Sequence, residues 1–117
     1  MAIALQERVC ERLRARFDPP GARQRVGVSE WFLSRPDQLP IHGLRHPPHG
    51  EVCGWYLWAG EEMREDPDYF RPLHVEHLIT VQPIVVPYLA LPPGWRFVLA
   101  PGYEDVWYDP ALLSPRP

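Results

Sequence analysis

Proline limits what this chain can build: sixteen of its 117 residues are Pro, scattered rather than massed. Each ring fixes φ, removes a backbone donor and interrupts a helix interior or a central strand. The prolines therefore read as punctuation between short elements, not as a linker. A chain of this length is one ordinary domain, long enough to bury a core without staples. Five Trp, five Tyr and four Phe supply large side chains for that core.

Between the prolines, periodicity separates helix from strand. Residues 3–17 predict an amphipathic helix, with Leu5, Val9, Leu13 and Phe17 in one stripe, Cys10 beside it, and Pro19-Pro20-Gly21 as its stop. Residues 25–33 are rich in strand formers. From Pro36 to Gly50 there is no period, with four Pro and three His, so a long loop is expected. Residues 51–59, EVCGWYLWA, form the strongest strand signal, closed by Gly60. Asp66-Pro67 and Pro72 predict the starts of short helical pieces across 66–90. Residues 95–100 and 103–109 predict a hairpin turned at Pro101-Gly102, with a loose tail over 110–117. The expected fold is α+β: a single domain over 1–117, with a mostly antiparallel sheet, an N-terminal helix and short Pro-punctuated helices.

Composition excludes several function classes. The formal net charge is −3, and the twelve Arg, with no Lys, are spread along the chain. Arg without Lys, spread in this way, is the composition expected from GC-rich codon usage rather than from a binding surface. No basic stripe exists for a phosphate backbone, so no nucleic-acid partner is expected. Charges interrupt the opening run MAIALQERVCERLRARF, so it lacks a signal-peptide core. No apolar run approaches a membrane span. Cys10 and Cys53 are too few for a disulfide framework or a four-thiolate zinc site. A reducing cytoplasm is the expected location.

Catalytic chemistry finds little support. His42, His46 and His49 fall in one segment and His74 and His77 in another, without a helical ligand pair or a local thiolate. His74-Val75-Glu76 matches half of the zinc deaminase signature, but no cysteine follows position 53 to complete it. Ser29, Ser34 and Ser114 lie outside any nucleophile elbow, and no phosphate loop is present. No enzyme activity, metal or cofactor is expected. A small His-based metal-dependent enzyme remains the alternative reading, and a structural or regulatory interaction module a third.

Recognition chemistry is better represented. Glu61, Glu62, Glu65, Asp66 and Asp68 place five carboxylates in eight residues. They form either a solvated face beside a helix start or an anionic patch that steers a basic partner. In the strand at 51–59, alternation sets Trp55 with Leu57 on one face and Tyr56 with Trp58 on the other. Either helices cover both faces, or one set is an interface rich in hot-spot residues. The candidate partner-binding residues are Trp55, Trp58, Glu61, Glu62, Glu65, Asp66 and Asp68, with Glu104 and Asp105. Exposed strand edges and aromatics also leave room for a homodimer.

The runs GWYLWAGEE at 54–62, DPDYFRPLHVEHL at 66–78, PYLALPPGWRF at 87–97 and PGYEDVWYD at 101–109 occur in an order that resembles the immunity-protein-33-like domain of bacterial polymorphic toxin systems. The resemblance covers residues 50–113. It implies a cytoplasmic protein that binds a cognate toxin and blocks it, with no catalytic residues to carry over. Partner specificity would then lie in the unmatched segment 36–50.

Overall fold

The computed structural model describes residues 3–35, 37–60 and 68–114. Its centre is a six-stranded sheet in the order β4-β1-β3-β2-β5-β6. The strands are β1 (Arg25–Ser29), β2 (Ile41–Arg45), β3 (Val52–Ala59), β4 (Phe70–His74), β5 (Trp95–Ala100) and β6 (Tyr103–Tyr108). Only β1 and β3 run parallel; every other neighbouring pair is antiparallel. The architecture is the expected α+β one.

The N-terminal helix α1 (Ile3–Leu13) is shorter than its apolar stripe suggested. Arg14 turns to positive φ, 55°, and the amide of Ala15 closes the helix on the Cys10 carbonyl at 2.9 Å. The buried side is Val9 and Cys10, flanked by half-buried Gln6 and Leu13. Leu5 and Phe17 remain exposed. The stripe at four-residue steps thus drifts off the packed face, which follows three- and four-residue steps.

β1 also stops early. Ser29 caps a second helix, α2 (Glu30–Ser34), its hydroxyl accepting from the Phe32 amide at 3.3 Å. Phe32 is thereby rolled into the core, fully buried. Ser followed by Glu in the first turn is a helix start that the β-rich composition of 25–33 concealed.

The segment expected as a loop is the largest correction. Residues 41–45 form β2, an interior strand paired to both β3 and β5. The chain also departs from the helix expected after Pro72. Phe70–His74 is edge strand β4, with Pro72 opposite Gly27. An edge tolerates a residue that cannot donate on one side. A 3₁₀ turn at Val75–His77, the helix α3 (Leu78–Val81) and a 3₁₀ stretch at Pro83–Tyr88 follow. The Asp66-Pro67 helix start lies outside the described residues.

The core fills one face of the sheet. Val26, Val28, Ile41, Cys53, Trp55, Leu57, Ala59, Phe97 and Leu99 meet Val9, Cys10, Val75, Leu78, Val85, Val86 and the run Leu89–Leu91. The opposite face carries a smaller cluster of Leu44, Trp58 and Leu112, with Tyr56, Tyr69 and Phe70 packed on it. Leu112 belongs to a 3₁₀ turn at Pro110–Leu113, capped by Asp109 and buried. The predicted loose tail is therefore docked as far as that turn.

Candidate protein-binding face

Alternation along β3 decides which aromatics face where. Trp55 and Leu57 are fully buried under the helices, and the Trp55 indole donates to the Leu89 carbonyl at 2.9 Å. A side chain so enclosed offers a partner no surface, so Trp55 serves the core. Tyr56 and Trp58 point to the opposite face of the sheet, where β2 contributes His42 and Leu44 opposite them and the 3₁₀ turn carrying Leu112 packs beside them.

On that face the rings form one connected sheet of contacts. His42 stacks on Trp58 with centroids 5.0 Å apart and planes 6° from parallel. Phe70 meets Trp58 edge-on at 6.3 Å and Tyr56 at 5.0 Å. Tyr69 stands against Phe70 at 4.8 Å, and His46 against Tyr56 at 5.7 Å. Trp58 is the buried middle of this array, while Tyr56, Tyr69, Phe70, His42 and His46 are half-buried. Mutual packing holds the rings in place before any partner arrives, which lowers the ordering cost of binding.

Glycine makes the array possible at one point. A Cβ on Gly27 would lie 2.6 Å from the Tyr56 ring. Beside it lies a shallow depression of about 190 Å³, lined in part by Gly27, Tyr56, Phe70, Pro72, Arg25 and Arg71. Small-molecule sites run from roughly 300 to 1,000 Å³. This one fits a single side chain. Arg25 and Arg71 at its rim pair with Glu51 at 3.2 Å and Glu30 at 3.8 Å. A larger groove, about 410 Å³, is lined by Arg16, Pro47, Pro92, Pro93, Tyr108 and Leu113, with no nucleophile and no acid–base pair.

The histidines have other duties. His46 directs Nδ1 at the Leu112 carbonyl, 3.1 Å away. A carbonyl only accepts, so this nitrogen carries the proton and pins the C-terminal turn. His49 closes a tight bridge with Val52, and the His74 and His77 rings lie 5.8 Å apart at the end of β4. Among the described residues no group of three or more His, Cys, Asp or Glu is gathered as a metal site would require. Cys10 and Cys53 are free and buried, and burial raises both thiols above their ordinary range.

The predicted acids divide three ways. Glu61, Glu62, Glu65 and Asp66 lie outside the described residues. Asp68 is exposed, next to Tyr69. Asp105 is also exposed, and register places it in line with the aromatics: it pairs with Val98, Val98 with His42, and His42 with Trp58. Three strand spacings separate Asp105 from Trp58, roughly 14 Å. Glu104 points to the helix side instead. The Tyr88 hydroxyl donates to it, and Arg12 approaches within 2.9 Å, so it ties α1 to β6.

This latch has a pH signature. The hydrogen bond from Tyr88, with help from Arg12, lowers the Glu104 carboxyl from its ordinary value. Burial, then the bond to Glu104, pushes Tyr88 up to about 12. The Glu104 contribution is present above the usual carboxylate range and is lost as pH falls through its lowered folded value. The Tyr88 contribution is complete below the usual phenol value of about 10 and is lost as pH rises toward the folded one. Tyr88→Phe is expected to flatten the urea midpoint against pH at the alkaline end, and partly at the acid end. A profile that Tyr88→Phe leaves unchanged would remove the latch.

With the geometry in view, comparison with known proteins is decisive on kinship. A family model for the Imm33-like domain matches residues 5–109. The chain belongs to the Imm33-like domain family. The match begins inside α1, so the Imm33-like unit includes the first half of the chain from residue 5 as well as the second half as far as residue 109. The segment 36–50, expected to stand apart as the specificity loop, lies within it. No curated protein and no solved structure matches the chain. Among the described residues no helix is long and apolar enough to cross a membrane.

Proposed function

We propose that this Imm33-like protein is a cytoplasmic immunity protein that binds a cognate bacterial toxin and neutralises it by occlusion. The observation that carries the reading is the aromatic array on the sheet face opposite the main core, where half-buried, preassembled rings surround Trp58. Family membership supplies the class of partner. Tyr and Trp dominate interface hot spots because they bring large area at low entropic cost.

In this reading the half-exposed rings Tyr56, Tyr69 and Phe70 make the central contact and Trp58 supports them from below. Asp68 and Asp105, with Glu61, Glu62, Glu65 and Asp66, steer a basic toxin surface and set its register. Charge at the rim tunes encounter; the aromatic centre sets how long the complex lasts.

The test is co-expression with the toxic product of the neighbouring gene, scored by growth, together with calorimetric titration of the pair. Tyr56→Ala and Tyr69→Ala are each expected to weaken binding by about 2 kcal/mol, roughly 30-fold in Kd. Asp68→Arg with Asp105→Arg is expected to slow association and weaken its salt dependence, with a smaller change in dissociation. Absence of both rescue and complex would defeat the proposal.

A further inference from the structure

The two edges of the sheet are not alike. β4, at one end, carries Pro72 in its middle. β6, at the other, is six residues long, contains no Pro and keeps an unbroken register with β5. A long edge without such a guard is a template for another strand.

Hydrogen-bond alternation shows which β6 groups are open. The Asp109 amide donates to the Gly94 carbonyl at 2.6 Å. That makes Gly94 and Asp109 a hydrogen-bonded pair in the β5–β6 ladder. Alternation then assigns the inward bonds to Trp107, Asp105 and Tyr103, the last closing the two-residue turn at Pro101-Gly102. The N–H and C=O groups of Glu104, Val106 and Tyr108 therefore point outward. Among the described residues no other segment bonds to them.

Charges usually blunt such an edge. Here Glu104 is held by Arg12 and Tyr88, which leaves Asp105 as the remaining carboxylate on β6.

We propose that β6 is a homodimer edge, two copies pairing antiparallel about a two-fold axis at Val106. Only registers centred on a residue keep like faces together. Centring on Glu104 or Asp105 sets a carboxylate directly against its own copy, which is unfavourable. Centring on Trp107 leaves Glu104 facing a residue beyond the end of β6. Centring on Val106 aligns all three outward residues: Glu104 faces Tyr108, Val106 faces itself, and about six backbone hydrogen bonds form. Asp105 then faces Trp107, whose ring already has the Arg96 guanidinium 5.5 Å from its centroid. Tyr103 and Tyr108, the two most exposed aromatics among the large hydrophobics at 55% and 46%, flank the pairing. The pattern of this strand is thus complementary to itself, which selects a second copy as occupant. The proposal does not depend on the toxin reading.

The experiment is sedimentation equilibrium of the full chain from low micromolar to several hundred micromolar, with amide exchange at both ends of that range. A monomer–dimer equilibrium is expected, with protection at 104, 106 and 108 that grows with concentration. Tyr108→Glu places a carboxylate opposite Glu104 twice over and should raise the dissociation constant roughly tenfold. Tyr108→Lys should lower it. Circular dichroism checks that both variants fold, and the exchange pattern of the unaltered chain decides the matter if either does not. A monomer throughout the range, a dimer indifferent to both Tyr108 variants, or protection of β6 appearing only when a toxin is added would each overturn the proposal.

Discussion

Gly54→Ala is expected to cost the fold several kcal/mol, a large part of the stability that an ordinary domain has. Gly54 sits in β3 at φ +103°, a region that L side chains rarely adopt. A Cβ there would lie 1.9 Å from the His46 carbonyl oxygen and 2.9 Å from its carbon. The obstacle is backbone, so no rotamer change relieves it. That backbone is also fixed, because the His46 amide donates to the Gly54 carbonyl at 2.9 Å. Either β2 and β3 separate just past the Arg45–Trp55 pair, or Gly54 leaves its conformation and carries Cys53 and Trp55 out of register. Loss of roughly 3–5 kcal/mol is in the range for strain plus core disruption. Gly50→Ala is the control: its φ is +59°, and nothing lies within 4 Å of an added Cβ. It should cost about 1 kcal/mol, from the conformation alone. Equal urea midpoints for the two variants would contradict this account of the β2–β3 junction.

The same junction shows why part of the fold was hidden in the sequence. β3 and the β5–β6 hairpin were legible because their side chains carry the pattern themselves, in EVCGWYLWA and in WRFVLA turned at Pro101-Gly102. β2 was not. Its core-facing residues are Ile41, Gly43 and Arg45, two of which look like loop residues. The core at Gly43 is filled from the neighbouring strand, since a Cβ there would lie 2.4 Å from the Phe97 ring. Phe97 supplies the bulk that β2 lacks, so periodicity within 36–50 carried no sign of a strand.

The candidate face was legible in part for the same reason. Alternation correctly separated Tyr56 and Trp58 from Trp55 and Leu57. It could not say which set the helices would cover, because that depends on which side the crossover segments pack. Tyr69, Phe70 and His42 entered the face unannounced: Tyr69 and Phe70 lie at the entry to β4, before Pro72, in a run that reads as a helix start, and His42 belongs to hidden β2. Glu104 looked like a rim acid by composition. Its role as a latch needed Tyr88 and Arg12, sixteen and ninety-two residues away.

Arg45 is the residue whose removal should reveal how the core face is tied down. Its side chain is 3% exposed, deep in the core, and burial lowers the guanidinium from its ordinary value. No carboxylate pairs with it within salt-bridge distance among the described residues. It is held by carbonyls instead: Asp18 at 2.7 Å, Leu91 at 2.8 Å, Cys53 at 3.1 Å and Leu89 at 3.4 Å. One rigid fork thus binds β3, the segment after α1 and the run that crosses back from the 3₁₀ stretch to β5. Replacing both partners of a buried charge by apolar groups is often harmless. Here the acceptors are backbone and cannot be replaced. Arg45→Met roughly preserves the stem but strands several of these oxygens away from water, at about 1–3 kcal/mol for each left unpaired. A net loss of roughly 3–5 kcal/mol is expected, allowing for relief of the buried charge. Arg45→Lys should fall between Met and the native residue, because an ammonium reaches some of the oxygens without the planar fork. The measurement is the urea midpoint at unchanged m-value. A cost below about 1 kcal/mol for Arg45→Met would mean that desolvating the guanidinium cancels what its four bonds contribute.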